Sequence, residues 1–306
     1  MIIMLGKKVT IIGGSGGMGK VFGKLLKKYG FRITLNARNL EKLKIAAHEL
    51  GVYYESSLLE SVRDADIIIV SIPITSTVNM LQEISPLLKK DALLIDITSL
   101  KGMVVNAMEK IIKTFEINCL SLHPMFGPGI IDMKSYIMIV LRVGGTENYD
   151  NLVNEFLSIF KLEGLIITET SPEIHDRRIA LTLGVPHMFN ILFLTLIKRS
   201  NETLTELTKY TGTTFLLQKV FAESIIQREM DMFAEIQMEN QEFLKVLDSL
   251  EILIGDYKKI IQNKNKHKFS HIFMEALDYS KKDYHFNDSY SHFYQFMKIL
   301  KKENKR

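Results

Sequence analysis

The sequence predicts an α/β chain in two domains: a mostly parallel sheet with helices over residues 1–170, then an all-helical domain over residues 171–306. Three observations predict it. Short β-branched runs alternate with amphipathic stretches of helical length through the first half, the pattern of strand-helix-strand units in a parallel sheet. A glycine-rich turn joins the first of those runs to the first of those stretches. From Ser171 onward the strand pattern stops.

Taken in order, the expected strands cover residues 8–12, 32–36, 66–72, 92–97, 118–122, 137–142 and 165–168. Ser171 is placed to cap the first helix of the second domain, with Pro172 at its first position and Glu173 behind it. Helical spacing continues to the C-terminus, with no internal repeat. The closing KKENKR at 301–306 reads as a frayed end.

With 306 residues, 46% hydrophobic and 24% charged, the chain has enough apolar surface for a large core. Its one cysteine, Cys119, forms no internal disulfide, and the opening residues lack the basic, apolar and small-residue order of a secretory leader. The expected setting is cytoplasmic. Residues 179–197 hold no charged side chain and are flanked by Arg177, Arg178, Lys198 and Arg199, as a membrane span would be. Gly184, Pro186, His187 and Asn190 interrupt them. The segment is therefore read as a buried helix at the centre of a homodimer, with no membrane partner.

Residues 258–306 carry twelve Lys or Arg against five Asp or Glu, a net of +7, so the rest of a chain of net charge +4 stands at −3. Aromatic residues are interleaved with these lysines, a pattern that also marks nucleic-acid binding. Phe269, Ile272, Phe273, Ala276 and Ser280 follow i, i+3, i+4 steps, however, so the aromatics are read as the inner stripe of lysine-faced helices, with no nucleic-acid partner.

Residues 14–19, GSGGMG, fit G-x-G-x-x-G between an expected strand and an expected helix, which makes the first domain Rossmann-type. Gly14 permits the tight turn, Gly16 lets the backbone approach a pyrophosphate, and Gly19 lets the helix pack closely on the strand. Ser15, Gly17 and Met18 complete the loop, and unpaired N–H groups of the helix start face the phosphates. Ser71 and Pro73, at the end of the strand over 66–72, are counted with them. In a dinucleotide site an acidic residue about 20 positions after the glycines holds the ribose 2′-hydroxyl of NAD. Here Asn36 and Ala37 stand there and Arg38 follows, so NADP is favoured over NAD.

Residues 119–130, CLSLHPMFGPGI, end an apolar run on His123 and continue with two prolines and two glycines. A structural turn uses the prolines and glycines but gains nothing from an imidazole. With GGSGGMGK at 13–20, DITSLK at 96–101, LHPMFGPG at 122–129, EIHDRRIALTLGVPH at 173–187 and MFAEIQMEN at 232–240, the chain resembles the prephenate dehydrogenase family, which includes arogenate dehydrogenases of the tyrosine pathway.

The resemblance implies a reaction and its residues. Hydride leaves the hydroxyl-bearing ring carbon of prephenate for the nicotinamide, a histidine takes the hydroxyl proton, and loss of the ring carboxylate as carbon dioxide gives 4-hydroxyphenylpyruvate. His123 matches that histidine, and a neutral imidazole suits the task without a metal. Ser99 matches a serine beside the substrate hydroxyl and nicotinamide, with a helix N-cap as its structural alternative. Lys101, Asp176 (next to His175) and His187 match family positions and are counted as substrate contacts; surface charge, helix-dipole stabilisation and core packing are their structural alternatives.

Two departures stand out. Leu183 and Gly184 replace a serine and histidine of many members, and Ser224 stands where relatives carry an arginine that clamps a carboxylate. Arg228, four residues on and expected on the same helix face, is assigned that task. Arogenate oxidation, an imine or pyrroline reductase built alike, and a dinucleotide-binding relative without catalysis are the competing readings.

Overall fold

The computed structural model describes residue 4 and residues 6–303. The β-branched runs form strands β1 (Lys8–Ile12), β2 (Arg32–Asn36), β3 (Tyr53–Tyr54), β4 (Ile67–Val70), β5 (Leu93–Asp96), β6 (Asn118–Pro124), β7 (Ile137–Gly144) and β8 (Ile166–Glu169). Their order in one sheet is β3-β2-β1-β4-β5-β6-β7-β8. Neighbours from β3 to β6 are parallel, β7 runs antiparallel to β6, and β8 is parallel to β7. The sheet is thus the Rossmann-type arrangement, with its switch in strand order between β1 and β4. β3 is the strand that the sequence pattern missed, because two tyrosines at a sheet edge leave no alternation to read.

Between the strands lie α1 (Gly17–Lys28), α2 (Leu40–Leu50), α3 (Leu58–Val62), α4 (Ile74–Ile84), α5 (Gly102–Thr114) and α6 (Tyr149–Leu162), and α7 (Pro172–Ile179) follows the last strand. They cover both faces of the sheet, and β4 shows how. Ile67 and Ile69 join a core with Phe22 and Leu26 of α1 and Phe156 of α6, while Ile68 and Val70 join another with Val104 and Met108 of α5. Successive side chains of a strand point to opposite faces, so a strand covered on both reads as an unbroken apolar run. Burying one such isoleucine contributes roughly 1.5–3 kcal/mol.

The turn from β1 to α1 differs in one detail from its sequence reading. Gly13, not Gly14, takes the left-handed conformation, with φ +79. A Cβ on Gly13 would lie 2.0 Å from the Ser71 carbonyl oxygen, so the loop is held against the end of β4 by the absence of a side chain.

The chain divides into two compact units between Ile179 and Ala180. That point lies one helix beyond the expected boundary near residue 170, because the Asp176 carboxylate of α7 bonds the start of α5. Ser171 caps α7 as expected, its hydroxyl accepting from the Ile174 amide at 3.4 Å.

The second unit opens with a π-helical turn (Ala180–Gly184) and continues as α8 (Val185–Arg199), α9 (Leu204–Thr208), α10 (Thr213–Ile226), α11 (Met230–Met238), α12 (Gln241–Gln262), α13 (Lys266–Ser280) and α14 (Ser289–Glu303). The frayed end expected at 301–306 falls partly outside the described residues. Ala180, Met188 and Phe243 form a small core here.

On α8, the helix expected to be buried between two copies of the chain, Leu192 (51% exposed) and Leu196 (70%) are uncovered in the single chain. The run Pro172–Arg199 is long and apolar enough to cross a membrane, and 28% of its apolar window is buried. Phe269, Phe273 and Tyr279 are likewise exposed, so the aromatics of α13 are not an inner stripe. In both helices the apolar face exceeds what the rest of the unit covers.

Gly13→Ala is expected to cost about 1–3 kcal/mol, since alanine there meets both the left-handed backbone and the Ser71 carbonyl. Urea unfolding measures it, and an unchanged midpoint would show that the loop relaxes freely.

Candidate active site

Loops leave the sheet at the C-terminal ends of its parallel strands, and most of the predicted residues of the first unit sit on them or at the strand ends that they continue. Gly16 precedes α1 without a side-chain cap, and the first turn of α1 holds no acidic residue. Its N–H groups and positive dipole end are therefore free for an anion. Gly17 approaches the segment after β6 closely: a Cβ on it would lie 2.7 Å from the Pro128 ring. The HPMFGPG segment thus lies against the glycine loop.

Asn36 braces this loop. Its carbonyl accepts from Gly13 N (2.9 Å) and Gly14 N (3.0 Å), and its amide donates to the carbonyl of Glu55 at 2.8 Å. Asn36 is 6% exposed and holds the loop in place from beneath. Arg38 is exposed, with no hydrogen bond or ion pair from its guanidinium among the described residues. Ser71 N donates to Ile12 O at 2.8 Å, and Pro73 precedes α4, so both border the loop.

His123, expected just beyond its strand, lies inside β6 and is 3% exposed. Its Nδ1 is 2.9 Å from His175 Nε2, and His175 Nδ1 is 2.7 Å from Asp176 Oδ1. Asp176 also accepts from Lys101 N at 2.9 Å and Gly102 N at 2.8 Å, which caps α5. The other ring nitrogen, His123 Nε2, makes no hydrogen bond among the described residues. Ser99 lies on the loop after β5, half-buried, and its hydroxyl makes no hydrogen bond among the described residues. The helix-cap alternative for Ser99 fails because Asp176 fills that role.

Lys101 is fully buried, donating to Asp96 Oδ2 at 2.6 Å and to the Leu122 carbonyl at 2.7 Å. Its expected contact with substrate is corrected by this complete burial, while Asp176 is bonded to the scaffold around His123.

Burial, then the nearby His175 and Lys101, push the His123 pKa well below 6.5. Burial also lowers His175, against the opposing pull of Asp176. Burial opposes ionisation of Asp176, but the bonds from His175, Gly102 and Lys101 outweigh it and hold the carboxyl below its usual range. At neutral pH the cluster thus holds an ionised Asp176 beside two neutral imidazoles.

In the second unit, His187 is half-buried and meets Phe233 edge-to-face, ring centroids 4.7 Å apart. Its Nδ1 is buried without a partner, and burial, then Arg228, lowers its pKa to about 4. Arg228 is exposed in the break between α10 and α11, not on one continuous helix with Ser224. The i, i+4 argument is corrected accordingly: Glu229 adopts an extended backbone that ends the helix, leaving Arg228 adjacent to His187 in effect though not on the Ser224 face. Lys219 is committed to Glu223 at 2.7 Å.

Asp96, and the role of His175, were not among the predicted site residues. A carboxylate ending the apolar strand LLID is as anomalous as the histidine ending LSLH, and that signal marks Asp96. Among the described residues no group of three His, Cys, Asp or Glu side chains is placed to hold a metal.

With this geometry in hand, comparison with known proteins gives the class and then the family. The model for the nucleotide-binding domain of prephenate dehydrogenase matches residues 22–135, and the model for its dimerization domain matches residues 171–275. A probable arogenate/prephenate dehydrogenase from Methanocaldococcus jannaschii is 30% identical over 270 residues, 88% of this chain and 60% of that protein. A probable NADP(+) prephenate dehydrogenase from Schizosaccharomyces pombe is 23% identical over 98% of this chain and 70% of that protein. The crystal structure of prephenate dehydrogenase from A. aeolicus with hydroxyphenyl propionate and NAD+ shares the fold, with a TM-score of 0.71, 20% identity, and coverage of 90% of this chain and 98% of that one. The chain belongs to the prephenate dehydrogenase family. It spans 60% of the length of its M. jannaschii relative.

Lys101→Met is expected to destabilise the protein by about 3–5 kcal/mol, because it leaves Asp96 charged and buried without its partner. Adding Asp96→Asn should restore most of that loss in urea unfolding. A double variant as unstable as the single one would contradict the ion-pair account.

Proposed function

We propose that the chain is a prephenate dehydrogenase that uses NADP and works as a homodimer in the cytoplasm. The observation that carries this reading is His123: a buried imidazole with one nitrogen held by His175 and the other open, near the end of β6, whose following segment lies with Pro128 against Gly17 of the glycine loop. The uncapped start of α1 suits the pyrophosphate, and the unpaired Arg38 suits a ribose 2′-phosphate. When bound, the dinucleotide supplies the hydride acceptor.

The residues of the chain do the rest. His123 Nε2 accepts the proton of the ring hydroxyl as that carbon becomes a carbonyl, and Ser99 donates a hydrogen bond that orients the hydroxyl. The ring then loses its carboxylate as carbon dioxide and becomes aromatic. Arg228 and His187 of the second unit are assigned to substrate carboxylates, with Arg228 the exposed cation of the pair. A second copy of the chain covers the apolar faces of α8 and α13, which the dimerization-domain match spans. The single buried cysteine, Cys119, fits a reducing compartment.

The test is nicotinamide reduction with NADP or NAD as acceptor, and prephenate or arogenate as substrate, beside His123→Asn. Prephenate-dependent reduction that falls by about 10²–10⁴-fold in the variant is expected. The acid limb of kcat/KM should lie below pH 6.5, because a lowered histidine pKa keeps the base unprotonated through neutrality. Arg38→Ala should raise the KM for NADP by roughly tenfold and leave that for NAD nearly unchanged. Faster turnover of arogenate would reassign the substrate. Dinucleotide binding without turnover would mark a relative that has lost the chemistry, with Ser224 the residue to examine.

A further inference from the structure

We propose that His175 and Asp176 are positioning residues that fix the tautomer of His123, so that its proton-accepting nitrogen is always the one facing the crevice. The inference rests on the reaction proposed above for its catalytic consequence, but the hydrogen bonds that carry it do not.

The donors and acceptors assign themselves in order. Asp176 receives two backbone N–H groups, on Oδ1 from Lys101 and on Oδ2 from Gly102, which only an ionised carboxylate accepts well on both oxygens. An ionised carboxylate is acceptor-only, so His175 Nδ1, 2.7 Å away, carries a proton and donates it. A neutral His175 then has a bare Nε2, which can only accept. The group facing it at 2.9 Å is His123 Nδ1, which must therefore be the N–H. A neutral His123 protonated on Nδ1 has its lone pair on Nε2, the nitrogen without a protein partner. The chain of three groups thus converts the charge of Asp176 into the orientation of one lone pair.

The alternative assignment is unfavourable on this page. If His175 carried both protons, its Nε2–H would donate to His123 Nδ1, and His123 would present an N–H, an acid in place of a base. Both rings are buried, at 3% and 1% exposure, and burial opposes an imidazolium in the resting protein.

Charge accounting favours the same design during reaction. The other charged groups set around His123 are Lys101, from the start of α5, and Asp96, from the end of β5, which pair with each other at 2.6 Å. Asp176, held ionised by its hydrogen bonds, adds one further negative charge to the cluster. When the hydroxyl proton arrives on Nε2, His123 becomes an imidazolium whose Nδ1–H still donates to His175, and the net charge of the cluster moves from −1 to zero. No second proton has to move.

The sequence holds eight histidines, so the experiment begins with nitrogen-15 NMR of the full chain labelled in its histidine rings, with His123→Asn and His175→Gln assigning the two signals. The expected result at neutral pH is protonated Nδ1 and bare Nε2 on His123. Nε2–H on His123 in the wild-type protein would overturn the proposal. Kinetics form the second arm. Asp176→Asn offers His175 a donor where it had an acceptor, and is expected to exchange both tautomers and to lower kcat by about 10²–10⁴-fold, with KM within about threefold.

Because Asp176 also caps α5, His175 provides a second route. His175→Gln retains an acceptor for His123 Nδ1 and should keep kcat within about tenfold of wild type, whereas His175→Leu should fall as far as Asp176→Asn. Equal kcat in the Gln and Leu variants would overturn the proposal. The expected tautomer in a protein that oxidises neither prephenate nor arogenate would support the hydrogen-bond assignment and count against the reaction.

Discussion

The site depends on one buried ammonium. Lys101 Nζ sits where three elements converge, donating to Asp96 at the end of β5 and to the Leu122 carbonyl in β6, while its own backbone N–H marks the start of α5. Taking such a pair out of water is costly, and its mutual attraction offsets that cost only when the geometry is tight and further hydrogen bonds satisfy the charges. Thr98 supplies one of these, its amide donating to the same Asp96 oxygen at 2.9 Å. The result is a strand end that cannot shift independently of its neighbour. His123 is the residue immediately after Leu122.

From that fixed point the functional geometry follows in short steps. Asp176 closes the open end of α5 and so ties α7 to the sheet, which brings His175 beneath His123. On the opposite side the glycine loop can come close only because Gly13 and Gly17 have no side chains to meet Ser71 and Pro128. A buried imidazole, an uncapped helix start and an uncommitted serine are thereby gathered at one edge of a parallel sheet, the edge at which folds of this kind bind their ligands.

How much of this was legible in the sequence depends on what kind of force sets each feature. The seven longer strands follow from apolar runs and turn residues, which are local signals, whereas Tyr53 and Tyr54 pair with β2 for want of any stronger demand and leave no pattern. His123 and the glycine loop stood out because their residue types are anomalous where they fall, and Ser99 because its motif resembles that of the family. Lys101 and Asp176 were read as groups that meet a substrate, since a sequence displays charge but not burial. Only the fold shows that each is spent on a neighbour. Arg228 was placed on a continuous helix because nothing in EMDMF interrupts helical spacing; the extended Glu229 that breaks it is a tertiary outcome. The apolar stripe of α13 was read as an inner face for the same reason in reverse: the pattern says that a face needs covering and does not say by which chain, whereas the uninterrupted apolar run of α8 pointed to a second copy.

The claim on which the rest stands is that the open nitrogen of His123 is the one that meets the substrate. A crystal structure of the full chain with NADP and an unreactive ring analogue bearing the hydroxyl tests it directly. The account predicts His123 Nε2 within roughly 2.6–3.2 Å of that hydroxyl, with the hydroxyl-bearing carbon about 3–3.5 Å from the nicotinamide ring. A hydroxyl bound elsewhere, with Nε2 touching no ligand atom, would contradict it.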